Sequence, residues 1–190
     1  MRVGLLYTAT TPQLIELVED AVRQELGEVE FFSRQDASII ADVRDAGYVT
    51  ASAAAKQLAL YLQAVEAGCD AVLSVCSSVA DVVDAAQGIA AYVGVPFVRI
   101  DEDMCREAAK RAARIGVVAT LPAAVDGVKR TIQRMSRECA RPVAVVDCLL
   151  DGGADLVQGV MASDAVAMQQ VDVLVLAQAS MASQEAAIAA

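Results

Sequence analysis

Arg2-Val-Gly-Leu-Leu-Tyr-Thr8 and Arg114-Ile-Gly-Val-Val-Ala-Thr120 are two versions of one phrase. Each is an apolar strand ending in threonine and followed shortly by a proline, Pro12 or Pro122, suited to the first turn of a helix. A second pair follows in the same order. Asp70-Ala-Val-Leu-Ser-Val-Cys76-Ser-Ser-Val-Ala80 is matched by Asp172-Val-Leu-Val-Leu-Ala-Gln178-Ala-Ser-Met-Ala182, with aspartate, strand, turn and serine in register. Either match alone is ordinary in a chain rich in alanine and valine, whereas both in one order point to a duplicated unit. Cys76 is thereby equivalent to Gln178, and Thr8 to Thr120.

Working outward, short apolar β-rich runs alternate with longer alanine-rich segments at helical period, the pattern of parallel strands joined by crossover helices. Strands are expected at 3–7, 29–32, 71–75, 97–100, 115–119, 143–146 and 173–176. Helices are expected at 12–26, 51–67, 80–92, 103–113, 122–137, 155–170 and from 181 onward. The fold class is α/β, with two pseudosymmetric lobes, 1–97 and 98–190, each a parallel sheet flanked by helices, and an active-site cleft expected between them. Ligands of parallel sheets bind beyond the carboxyl ends of the strands, and Thr8, Cys76, Thr120 and Gln178 all stand at such ends.

Composition narrows the chemistry. A chain of 190 residues with 56% hydrophobic residues is long enough to bury a core. Asp81, Asp84, Asp101 and Asp172 interrupt the apolar stretches before they reach the roughly 20 residues of a membrane span, so no membrane partner is expected. Met1-Arg2 runs straight into a short apolar segment without a cleavage-like site, which predicts a cytoplasmic protein. A formal charge of −10 argues against nucleic acid as a partner. There is no histidine, which excludes a Ser-His-Asp triad and leaves Cys, Asp, Glu, Lys or Tyr as acids and bases.

The five cysteines, Cys69, Cys76, Cys105, Cys139 and Cys148, show no CxxC spacing, so neither a zinc site nor a redox pair is expected. No glycine-rich dinucleotide or nucleotide motif is present, and Asp151-Gly-Gly153 reads as a loop. No metal and no cofactor are required. A mean hydropathy of +0.46 suggests apolar surface that a homo-oligomer, dimer or higher, would cover.

At the two strand-end motifs the sequence resembles the aspartate/glutamate/hydantoin racemase superfamily over nearly its whole length. The first motif of that superfamily, an apolar strand followed by Cys and a small polar residue, is matched by Val72-Leu73-Ser74-Val75-Cys76-Ser77-Ser78. The second, an apolar strand followed by Gly-Cys, appears as Leu176-Ala177-Gln178-Ala179-Ser180, with glutamine in place of cysteine. The resemblance implies two lobes that each supply a strand-end residue to a central cleft. It also implies a small carboxylate substrate: an amino acid, a hydantoin or a dicarboxylic acid. Superfamily members include racemases, maleate isomerase and arylmalonate decarboxylase, the last working with a single cysteine, so the fold alone leaves reaction type open. Members usually return after the second motif to complete the first lobe, so a C-terminal segment beyond Ala190 is expected to be missing here.

Racemisation without a cofactor requires removal of an α-proton from one face and delivery to the other. Cys76 is the candidate acid/base or nucleophile, with Ser77 and Ser78 as candidate caps of the helix that follows. Gln178 cannot titrate, but its amide can hold a carboxylate or a developing enolate oxygen. Thr8, Ser77, Ser78, Thr120, Ala179 and Ser180 complete the candidate substrate-binding set. Tyr7, beside Thr8, is a candidate auxiliary proton donor. Asp101 heads an acidic helix start with Glu102 and Asp103 and is a second auxiliary candidate. Three readings follow: a racemase-like isomerase, a single-cysteine decarboxylase or lyase, and a non-catalytic binder of a small acid.

Overall fold

The computed structural model describes residues 1–150, 159 and 170–189. The chain forms two compact units, Met1–Ile100 and Asp101–Ala190.

The first unit holds a four-stranded sheet in the order β2-β1-β3-β4, from β1 (Arg2–Tyr7), β2 (Glu30–Gln35), β3 (Ala71–Val75) and β4 (Phe97–Arg99), every pair parallel. Its helices are α1 (Pro12–Leu26), α2 (Ala37–Ala46), α3 (Ala51–Glu66), α4 (Ala80–Ala85) and α5 (Gln87–Val93). The second unit repeats the arrangement with a parallel sheet in the order β6-β5-β7, from β5 (Arg114–Ala119), β6 (Ala144–Leu149) and β7 (Val173–Leu176). Its helices with described bounds are α6 (Glu102–Arg111), α7 (Pro122–Glu138) and the short α8 (Glu185–Ala189). All seven expected strands are present, and Pro12 and Pro122 open α1 and α7 as their fixed φ favours.

The duplication survives at the level of register. Val3 pairs with Ala71 in the first unit, and their counterparts Ile115 and Val173 pair in the second. The repeated aspartate has a structural use in both. Asp70 accepts the Arg2 backbone N–H at 2.7 Å, and Asp172 accepts those of Ala113 and Arg114, each at 2.8 Å. In each unit this carboxylate ties the start of the third strand of the repeat to the start of the first. At Asp172 the two N–H donors hold the carboxyl below its ordinary range.

Helices differ from expectation in three places. Residues 37–46, assigned no element from sequence, form α2, capped by Asp36 accepting from Ser38 N–H and closed by Gly47 in the left-handed region at φ 78°. The expected helix 80–92 divides at Ala86 into α4 and α5, and Gln87 Nε2 at the break donates to the carbonyls of Val83 and Phe97. The helix expected from 181 begins instead as a 3-10 segment, Ala179–Gln184, before α8. The expected helix 155–170 lies almost wholly outside the described residues, as does the loop at 151–153.

Period-two alternation divides the second unit's core. Ile115, Val117, Ala119, Val175 and Ala177 join the cluster built on α6 and α7, while Val118, Cys148, Leu150 and Met181 pack on the opposite face. Both first strands carry a glycine on that second face. A Cβ on Gly4 would lie 3.1 Å from Ala64 Cβ in α3 and 3.2 Å from a Val72 methyl, both on stiff side chains. A Cβ on Gly116 would meet only the movable tip of Leu174 at less than contact distance, 2.8 Å. Gly4→Ala is therefore expected to cost about 1–3 kcal/mol by overpacking, and Gly116→Ala less, a ranking that urea titration of the two variants checks.

Candidate active site

The carboxyl end of the first sheet is built by β1 and β3. Their register, Leu6 with Ser74 and Tyr7 with Val75, runs on to Thr8 and Cys76. Alternation then places Gly4, Leu6 and Thr8 on the same face as Val72, Ser74 and Cys76. Cys76 leaves β3 in an extended conformation and immediately precedes a 3-10 turn, Ser77–Val79. Its half-buried thiol is free. Burial pushes this thiol's pKa up, against the opposing pull of the Thr8 hydroxyl, the backbone N–H groups of Ser78 and Val79, and the Ser78 hydroxyl. The neutral thiol makes no capping bond to the turn. Burial thus favours the neutral thiol, while the surrounding hydroxyls and N–H groups favour the thiolate.

Ser77 and Ser78 are buried inside the turn. They are not the caps expected from sequence, because the residue that begins the turn is Cys76 itself and Val79 precedes α4. Tyr7 projects with Leu5 to the face opposite Thr8 and Cys76, by the same alternation. Its hydroxyl is buried without a hydrogen-bond partner among the described residues. Burial, reinforced by Glu19, pushes its pKa up to about 12. Asp101 is buried at the entry to α6 but does not cap its first turn, where Glu102 and Asp103 supply the expected acidic charge.

Beneath Cys76 lies a polar pair that the motif reading passes over. Gln57 is fully buried in α3 and donates from Nε2 to Ser74 Oγ at 3.0 Å, two residues before the thiol on its own face, while Oε1 has no partner among the described residues. The signal was present in α3, whose buried stripe Ala53, Gln57, Leu60, Tyr61, Ala64 carries one amide at an apolar position. On the neighbouring strand Arg99 is also buried, its guanidinium 2.6 Å from Asp84 of α4.

In the second unit the equivalent strand ends carry Thr120 and Gln178. Gln178 Oε1 accepts both from the Thr120 backbone N–H, at 2.7 Å, and from the Thr120 hydroxyl, at 2.9 Å. A threonine thus stands beside the residue at the end of the adjacent strand in each unit: the Thr8 hydroxyl favours the Cys76 thiolate, and the Thr120 hydroxyl donates to the Gln178 amide oxygen. Ala179 is half-buried and Ser180 exposed, both in the 3-10 segment that follows. Among the described residues no group of His, Cys, Asp and Glu is arranged to hold a metal ion, and no helix is long and apolar enough to cross a membrane.

Comparison with known proteins shows the family and the fold. The family described as Asp/Glu/Hydantoin racemase matches residues 3–190. No curated protein sequence matches significantly. Among solved structures, allantoin racemase from Klebsiella pneumoniae superposes with a TM-score of 0.63 at 17% identity, over 99% of this chain and 78% of that one. Glutamate racemase from Francisella tularensis subsp. tularensis, in complex with D-glutamate, gives 0.68 at 12% identity over 99% and 72%. Glutamate racemase from Thermus thermophilus gives 0.64 at 17% identity over 98% and 70%. At these identities the likeness is one of fold.

Proposed function

The chain belongs to the Asp/Glu/hydantoin racemase family, and from that premise we propose that it is a cofactor-independent isomerase of a small carboxylate in which Cys76 carries the acid/base chemistry. The substrate class is an amino acid, a hydantoin or a dicarboxylic acid. One observation carries the reading: the thiol of Cys76 stands at the end of β3 among the Thr8 and Ser78 hydroxyls and the Ser78 and Val79 N–H groups. These donors lower the cost of forming a thiolate in a buried place.

The chemistry follows from what that sulfur can exchange. As thiolate it removes the proton α to the substrate carboxyl, the C–H electron pair passing into an enolate and the sulfur becoming a thiol. Return of that proton to the same face regenerates substrate, and delivery to the opposite face by a second acid inverts it. Gln178 cannot be that acid, because an amide does not titrate near neutrality. It serves instead as a hydrogen-bond donor to a substrate oxygen.

The glutamine at the repeated position favours a second reading, a single-cysteine decarboxylase or lyase. There carbon dioxide departs with its bonding electrons left on the α-carbon, and the Cys76 thiol protonates the resulting enolate. Incubation with candidate acids in deuterium oxide separates the readings. An isomerase is expected to wash deuterium into the α-position of recovered substrate, seen as loss of the α-proton NMR signal, whereas a lyase releases carbon dioxide. A binder does neither and only raises the melting temperature, and that outcome overturns both catalytic readings.

A further inference from the structure

The hydrogen bonds at Gln178 decide which end of its amide is available. A backbone N–H is an obligatory donor, so the atom 2.7 Å from Thr120 N must be the amide oxygen, a conclusion that rests on chemistry and not on how the two ends of an amide are assigned. The Thr120 hydroxyl, 2.9 Å away, reaches the same oxygen and fills its second lone pair. The oxygen is therefore spent within the protein. The Nε2 end finds no acceptor among the described residues, and the side chain is half-buried, so two N–H donors are left presented. An independent observation points the same way: in the matching register of the first unit, Thr8 acts on Cys76 as Thr120 acts on Gln178.

We infer that Thr120 is a positioning residue that locks Gln178 as a donor-only contact, so that position 178 selects a carboxylate or carbonyl oxygen of the substrate and rejects an ammonium group. The inference rests on the proposed small-carboxylate chemistry and narrows it. A group facing Nε2 must accept hydrogen bonds, and turning the amide to receive a cation would break the bond from the Thr120 backbone and leave that N–H facing another N–H. The hydroxyl of Thr120, itself a candidate substrate ligand from sequence, is on this account engaged inside the protein.

Gln178→Glu keeps the oxygen that Thr120 bonds and loses the donors, but it also adds a charge that repels succinate. Uncharged Gln178→Met, which lacks the donors without adding charge, is therefore measured beside it and is expected to weaken succinate as well. With succinate as probe, isothermal titration calorimetry of the full chain is expected to show at least tenfold weaker binding for Q178E, at a melting temperature no lower than that of the parent. Thr120→Val, which removes one of the two bonds holding the amide, is expected to weaken succinate about three- to tenfold, and Thr120→Ser to restore it. Binding is read without turnover, and Cys76→Ala is expected to retain it, so failure of the catalytic reading is distinguishable from failure of this one. Parent-like succinate affinity in Q178E or Q178M, a lowered melting temperature in Q178E, or a serine variant as weak as the valine variant overturns the inference. So does an absence of succinate binding by the parent protein.

Discussion

Cys76→Ala is expected to lower turnover by about 10²–10⁴-fold, the span that one positioned acid or base contributes, while leaving the melting temperature close to the parent's. The half-buried side chain sits at the end of β3, makes no disulfide and caps no helix turn, so its removal leaves the sheet register untouched. Cys76→Ser is the sharper variant. It keeps the size and the hydrogen bonds offered by Thr8 and the turn but raises the proton affinity far above that of a thiol, and it is expected to be nearly as inactive as alanine. The pH profile of the parent supplies a second check. Burial raises this thiol above its ordinary value, so at neutral pH the base form is the minor one, and the rate of α-proton removal rises as pH rises, approaching tenfold per unit below the thiol pKa. A pH-independent rate across that range, or retained turnover in either variant, assigns the chemistry to another residue.

How much of this was legible in the chain depends on which physical signal carried it. Strands β3 and β7 were readable because each repeat writes the same apolar run between an aspartate and a strand-end turn, and both aspartates proved to have a hydrogen-bonding reason to be there. Helix α2 was missed although Ile39, Ile40 and Val43 fall on one helical face, because that face is only three residues long and follows directly on a strand. The Asp36 cap and Gly47 stop that bracket it are the local chemistry that defines it. At the site, the equivalence of Cys76 with Gln178 was visible in sequence, but the work done by the threonines was not. A strand-end hydroxyl looks the same whether it faces a substrate or the neighbouring strand, and only the register places Thr8 by Cys76 and Thr120 by Gln178. Gln57 and Ser74 escaped for a related reason: an amide in an apolar helical stripe and a serine in a strand become a pair only when α3 lies against β3.

The second large effect is expected from restoring a thiol where the repeat carries an amide. In Gln178→Cys the Thr120 N–H and hydroxyl, which now donate to Oε1 at 2.7 and 2.9 Å, become donors to a sulfur, as Thr8 is to Cys76. Such donors favour the thiolate and so bring the new group into the range where it can trade protons. Both repeated strand ends then carry a thiol. On the proposed reading, proton removal by one thiol and delivery by the other gives inversion in place of return to the same face. Chiral chromatography of the recovered acid is expected to show faster inversion than in the parent, with a gain of up to about 10²–10⁴-fold. Adding Cys76→Ala to the variant is expected to remove the whole gain, because inversion needs both groups. Unchanged stereochemistry in Gln178→Cys, with the melting temperature preserved, sinks the idea that residue 178 takes part in the reaction of Cys76. A gain that survives removal of Cys76 locates the chemistry in the second unit alone.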